Sequence, residues 1–203
     1  MRESDAVSVL RIPLLALLVY SIAIRLNAVI VLLLLAVLFI SDSADGYMAF
    51  SGRHSLPDFA HYLLEEARVL RGKARKRPAP PRYAAYLDIA IDRVIEYALW
   101  LAFTLLSILP WFVIAIVFAR NTLADFLVTR RGKTFKGMRT GFGRIASSHV
   151  SRGAYAILKA VNFGYLAMVA VLGWPLSAAY ALTAVVVVFS LLRGASEIYE
   201  ALR

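Results

Sequence analysis

The stretch Ile30–Phe50, IVLLLLAVLFISDSADGYMAF, decides how this chain is read. The apolar run Ile30 to Ile40 passes without a break into two aspartates, Asp42 and Asp45, followed at once by Gly46. A second pair, Asp88 and Asp92, opens the apolar run Ile89 to Leu106. Holding a carboxylate at membrane depth is costly, so one that is kept there marks a functional site and calls for a cationic partner. On a helix, residues three or four apart share a face. Asp42 and Asp45 therefore form one acidic edge, and Asp88 and Asp92, extended by Glu96, form another. Facing each other, the two edges would make an all-oxygen cage of the kind that hard divalent cations choose, Mg²⁺ above all, often shared with substrate phosphates. Zinc would ask for His or Cys, but the chain has no Cys, and His54, His61 and His149 show no ligand spacing. The competing reading is that the aspartates cap helix ends, which the SDS stretch before Ala44 allows for Asp42 alone.

Outward from these edges the chain is apolar. With 61% hydrophobic residues and a mean hydropathy of +0.70 over 203 residues, it is too apolar for a soluble domain. Tracts that can supply a membrane span, alone or with their flanks, fall near 8–25, 27–50, 84–107, 109–129, 153–173 and 175–194. The expected fold is an all-α integral membrane protein, a single domain over 1–203 with six transmembrane helices and a polar cavity facing the cytoplasm. The first span is the shortest: Ile12 to Ile24 lies between Arg11 and Arg25, whose side chains are expected to snorkel to the interfaces. Reading Ile12 to Ile40 as one helix would make it roughly 43 Å long, well beyond the hydrocarbon core. Arg25 and Asn27 would then lie in its middle. A cleaved signal peptide is not expected, since no small-residue cleavage site separates the first apolar run from the next.

The net charge of +10 invites a nucleic-acid reading, but its distribution points to a membrane. Arg53 to Arg82 holds eight Lys/Arg and Arg130 to Arg152 holds seven, whereas the three loops on the opposite side carry only Arg25. By the positive-inside rule, both termini, both basic loops and the aspartate ends of spans two and three face the cytoplasm. Residues 51–82 form a segment of separate character. Ser55 and Pro57 mark a helix start, Phe59, Leu63, Ala67 and Leu70 fall at helical spacing, and Pro78, Pro80 and Pro81 end it after a basic run. It reads as a basic amphipathic helix lying on the lipid surface, with Asp58 and His61 on its polar face.

The order Asp42-x-x-Asp45-Gly46-x-x-Ala49 followed by Asp88-x-x-x-Asp92 resembles the signature of the CDP-alcohol phosphatidyltransferases. SVLRIPLLALL leading to LLLLAVLFISDSADGYMA looks like the first two spans of that family, and YLDIAIDRV like the start of its third. Three departures stand out. The family's Arg after the Ala is Phe50 here, with Arg53 about one helical turn later. The Gly four residues before the third Asp is Ala84. The 51–82 segment is an insertion between the two halves of the motif.

The resemblance implies an enzyme of phospholipid biosynthesis. It would transfer a phosphatidyl-type group from a CDP-linked lipid, CDP-diacylglycerol or CDP-archaeol, to the hydroxyl of a small polar alcohol, releasing CMP. It further implies Asp42, Asp45, Asp88 and Asp92 as ligands of two Mg²⁺ or Mn²⁺ ions, with Asp92 also the general base. Gly46, Ala49, Arg53 and Ala84 would lie on the donor side, and the chain would form a homodimer among membrane lipids, with no nucleic-acid partner. Two ions a few Å apart can clamp both sides of an in-line displacement at a diphosphate. Arg120, within span four, and Arg152, at the start of span five, suit phosphate recognition and favour a phosphorylated polyol acceptor such as inositol phosphate or glycerol phosphate. The competing readings are an internal salt bridge of Arg120 with Asp125 or Glu96, and simple positive-inside charge for Arg152. Glu96 reads as a partner for Arg93 or Arg120. Trp100, Trp111 and Trp174 are expected at bilayer interfaces, and Ala178 and Ala179 at close helix contacts. Two rival functions use the same acids: a divalent-cation transporter, which would want them nearer mid-membrane, and a catalytically silent membrane scaffold, prompted by Phe50 and Ala84.

Overall fold

The computed structural model describes the backbone of residues 3–48, 82–130 and 149–202, with side chains over 9–41, 90–127 and 151–199 except Arg152 and Glu197. Among these residues there are six helices: α1 (Glu3–Ala23), α2 (Ala28–Met48), α3 (Arg82–Leu105), α4 (Trp111–Arg130), α5 (His149–Leu172) and α6 (Leu176–Leu202). They overlap the six apolar tracts, with α1 beginning five residues before its tract, α5 four before, and α6 running eight residues beyond 194. Two segments, Gly153–Leu172 and Leu176–Ser196, are long and apolar enough to cross a membrane. Only 33% and 28% of them is buried within the protein, so most of their apolar surface faces outward, unlike the core helix of a soluble domain.

The turns explain why the apolar sequence divides where it does. At the end of α1 the backbone turns left-handed at Arg25 (φ 53°). The Arg25 N–H donates to the Ile22 carbonyl at 3.0 Å, and the Leu26 N–H to the Ser21 carbonyl at 2.9 Å. These two bonds are the Schellman closure, which satisfies carbonyls the helix would otherwise orphan. Asn27 then starts α2, its Oδ1 accepting the Val29 N–H at 2.9 Å. The pattern recurs after α3, where Ser107 (φ 58°) donates its N–H to the Thr104 carbonyl and Ile108 to that of Phe103, each at 3.0 Å. Between α5 and α6 the left-handed position belongs to Gly173 (φ 70°), for which that backbone carries no Cβ penalty.

The helices fall into two compact units. The first holds α1, α2, α3 up to Ala102, and Ala170–Gly173 at the end of α5. Its core is built from one stripe per helix: Leu15, Leu18 and Ile22 of α1, Val31, Leu35 and Leu38 of α2, and Ile91, Ile95 and Leu99 of α3. The opposite faces expose Leu10, Leu17, Leu33 and Val37. Trp100, placed by its sequence context at a bilayer interface, is instead buried, one helical turn after the buried Glu96 on the same face of α3. Trp111 and Trp174 are exposed, at the first residue of α4 and in the α5–α6 turn.

The second unit contains α4, α6 and α5 up to Val169. α5 and α6 run antiparallel, with contacts stepping along the hairpin. Tyr165 donates its hydroxyl to the Pro175 carbonyl at 3.3 Å, Thr183 Oγ1 donates to Asn162 Oδ1 at 3.1 Å, and Tyr155 stacks on Phe189 at 5.7 Å. Ala179 is fully buried, as expected of a small residue at a close helix contact.

The Asn27 cap supplies a test of how the first two helices divide. Asn27→Ala is expected to lower the unfolding free energy by about 1 kcal/mol, and Asn27→Asp to preserve it, because only a side-chain oxygen can accept the Val29 N–H. Unfolding in mixed detergent micelles, followed by circular dichroism, measures the difference.

Candidate functional site

The SDSADG stretch lies inside α2, which continues to Met48. Asp42 therefore caps no helix start, and the capping alternative is excluded for it. Asp42 and Asp45, three apart on α2, share a face, as do Asp88, Asp92 and Glu96 at four-residue steps on α3. The side chains of Asp42, Asp45, Gly46, Ala84, Asp88 and Arg152 lie outside the described ones. Ala49, Phe50, Arg53 and the rest of the 51–82 insertion up to Pro81 lie outside the described residues altogether. Among the described residues no three His, Cys, Asp or Glu side chains gather as a metal site.

Asp92 anchors what is described. Its Oδ1 is 2.9 Å from Nη1 of Arg11, an ion pair between α3 and α1. Arg11, expected to snorkel from the end of the first span, instead has a side chain only 5% exposed, while that of Asp92 is 44% exposed. The reason is helical phase. Arg11 lies four, seven and eleven residues before Leu15, Leu18 and Ile22, on the inward stripe of α1. Glu96, one turn beyond Asp92, is buried and receives Nη1 of Arg93 at 3.3 Å. This is one of the two partners its spacing suggested. The two described carboxylates of α3 thus each have an arginine at hand, which offsets the cost of burying charge.

Register places this pair relative to the acids of α2. α1 and α2 pack together and are joined by a turn of four residues, 24–27, which makes them antiparallel neighbours. At 1.5 Å per residue, Arg11 lies roughly 21 Å from Arg25, and Ser41 about as far from Asn27 on the returning helix. The level of the Arg11–Asp92 pair is therefore that of Ser41 and Asp42, with Asp45 one turn further on.

In the second unit the buried polar groups form a separate set. Arg120 of α4 is buried and donates from Nη1 to Asn121 Oδ1 at 2.7 Å. Its side chain lies across Gly194 of α6, where a Cβ would stand 2.5 Å from Arg120 Nε and 2.8 Å from Cγ. Arg193, also buried, holds its guanidinium 5.1 Å from the centre of the Tyr155 ring, and Lys159 Nζ stands 4.8 Å from the same centre. An aromatic face attracts both cations, more strongly where water is excluded.

Arg11, Arg193 and Gly194 do not stand out from the sequence as site residues. Arg11 and Arg193 could have been found by phase, since each is a charged residue on a helical stripe of otherwise buried positions. Gly194 carries no such mark, because its role depends on a side chain from another helix. Comparison of the chain with family models, with curated proteins and with solved structures finds no match.

The contact of Arg120 with Gly194 is directly testable. Gly194→Ala is expected to destabilise the protein by about 1–3 kcal/mol, because the added methyl must displace a buried side chain at a packed helix crossing. Thermal unfolding in detergent measures it, with Ala195→Ser, at the exposed neighbouring position, as the control.

Proposed function

We propose that this chain is a multi-pass membrane enzyme that transfers a phosphatidyl-type group from a CDP-linked lipid to the hydroxyl of a small polar alcohol, releasing CMP at the cytoplasmic face. The observation that supports this reading is the pairing of Asp92, in the DxxxD stretch, with Arg11 of α1, to whose level the DxxDG stretch of α2 returns by residue count along the α1–α2 hairpin. The resemblance of these residues to the CDP-alcohol phosphatidyltransferase signature supplies the chemistry. Outward-facing apolar side chains, such as Leu33 of α2, Phe118 of α4 and Val188 of α6, support a lipid environment for the helices of both units.

The donor set fits a hard divalent cation, since every acidic group at the two edges offers carboxylate oxygen. Asp42, Asp45 and Asp88 would hold Mg²⁺ or Mn²⁺, with Asp92 less committed because Arg11 already engages one of its oxygens. When bound, two such ions supply positive charge against the diphosphate of the donor. The other steps belong to the chain. Asp92, charged beside a guanidinium and partly exposed, accepts the proton of the acceptor hydroxyl. The freed oxygen forms a bond to the lipid-bearing phosphorus as the diphosphate P–O bond breaks, and CMP leaves with that electron pair. Gly46, lacking a Cβ, allows the nucleotide or its phosphates to approach the backbone of α2.

The test is CMP release by the purified full chain in detergent with Mg²⁺. CDP-diacylglycerol and CDP-archaeol are each offered with inositol phosphate, glycerol phosphate or serine. Turnover is expected with a phosphorylated polyol, abolished by chelator and lowered about 10²- to 10⁴-fold in Asp92→Asn, the usual range for loss of a general base. Folded protein that releases no CMP with any pair would end the transferase reading.

A further inference from the structure

We propose that Arg11 is a positioning residue for Asp92: it touches no substrate itself, and holds the carboxylate in the orientation in which it receives the acceptor's proton. This rests on the transferase reading above. The geometry of the pair is asymmetric. The guanidinium side chain is 5% exposed and the carboxylate 44%, so the pair has a fixed inner member and an outer member open to a reactant. Arg11 belongs to α1, a helix that carries none of the acidic motif, and its inward phase with Leu15, Leu18 and Ile22 leaves it little freedom to swing away. The contact brings one guanidinium nitrogen against one carboxylate oxygen, which fixes the place of Oδ1 relative to α1. A displacement of about 1 Å in a reacting group can cost on the order of 10²-fold in rate.

The experiment uses the full chain with whichever donor and acceptor the wild type turns over. Arg11→Met, Arg11→Lys, Asp92→Asn and the Arg11→Met/Asp92→Asn double variant are compared for kcat, for KM of donor and acceptor, and for thermal unfolding. Arg11→Met is expected to lower kcat about 10²-fold with the donor KM unchanged, and Arg11→Lys to recover part of that loss. In the Asp92→Asn background, Arg11→Met should cost no further activity, since a positioning residue has nothing left to position. A purely structural role would lower the unfolding temperature and the fraction of folded protein while leaving kcat per folded molecule at the wild-type value. Wild-type kcat in Arg11→Met, or an equal loss with and without Asp92, would overturn the inference while leaving the transferase intact. Absence of turnover in the wild type would overturn both. If Arg11→Met does not fold, Arg11→Lys decides alone: kcat about tenfold down with the donor KM unchanged supports the inference, and unaltered kcat refutes it.

Discussion

A guanidinium and a carboxylate 2.9 Å apart tie α1 to α3, and the arrangement of the first unit depends on that contact. Apolar stripes bring helices together but tolerate sliding, because one aliphatic contact is much like the next. A charged pair does not slide. Removing the carboxylate would leave Arg11, whose side chain is 5% exposed, without its countercharge, whereas Asp92 at 44% exposed keeps contact with solvent. Arg11 and Asp92 therefore fix the height of α3 against α1, and the short turn at 24–27 fixes α2 against α1 in turn. By residue count along that hairpin, the acidic stretch of α2 returns to the level of Arg11.

The second unit meets the same problem of polar groups among apolar helices with weaker interactions. Asn162 and Thr183 join α5 to α6 by one neutral hydrogen bond, and the Tyr155 face gathers Arg193 and Lys159. Hydrogen bonds of this type between membrane helices contribute about 0.6 kcal/mol each on average, so close packing carries most of the stability. The approach of Arg120 to Gly194 and the full burial of Ala179 are instances of it. The first unit thus takes its register from an ion pair, the second largely from shape.

Much of the fold was legible in the chain. The break at Arg25 and Asn27 follows from length, and the residues that looked misplaced in one long helix prove to be the left-handed cap and the N-cap of two shorter ones. The pairing of Glu96 with Arg93 was legible because both lie on one helix at a three-residue step. Arg11 and Trp100 depart from their expected places for a common reason. Each belongs to a residue type usual at bilayer interfaces, and each is drawn inside by the phase of its helix.

The sequence by itself determined the order of the six helices, the break between α1 and α2, and the positions of the acidic residues along them. Those features depend on interactions within a few residues: 3.6-residue periodicity, caps and apolar length. Only the tertiary structure decided that the cation for Asp92 is Arg11, 81 positions earlier in the chain, and that Gly194 must be small because Arg120 crosses it. Neither pairing has a local signature, because each depends on which faces of separate helices meet.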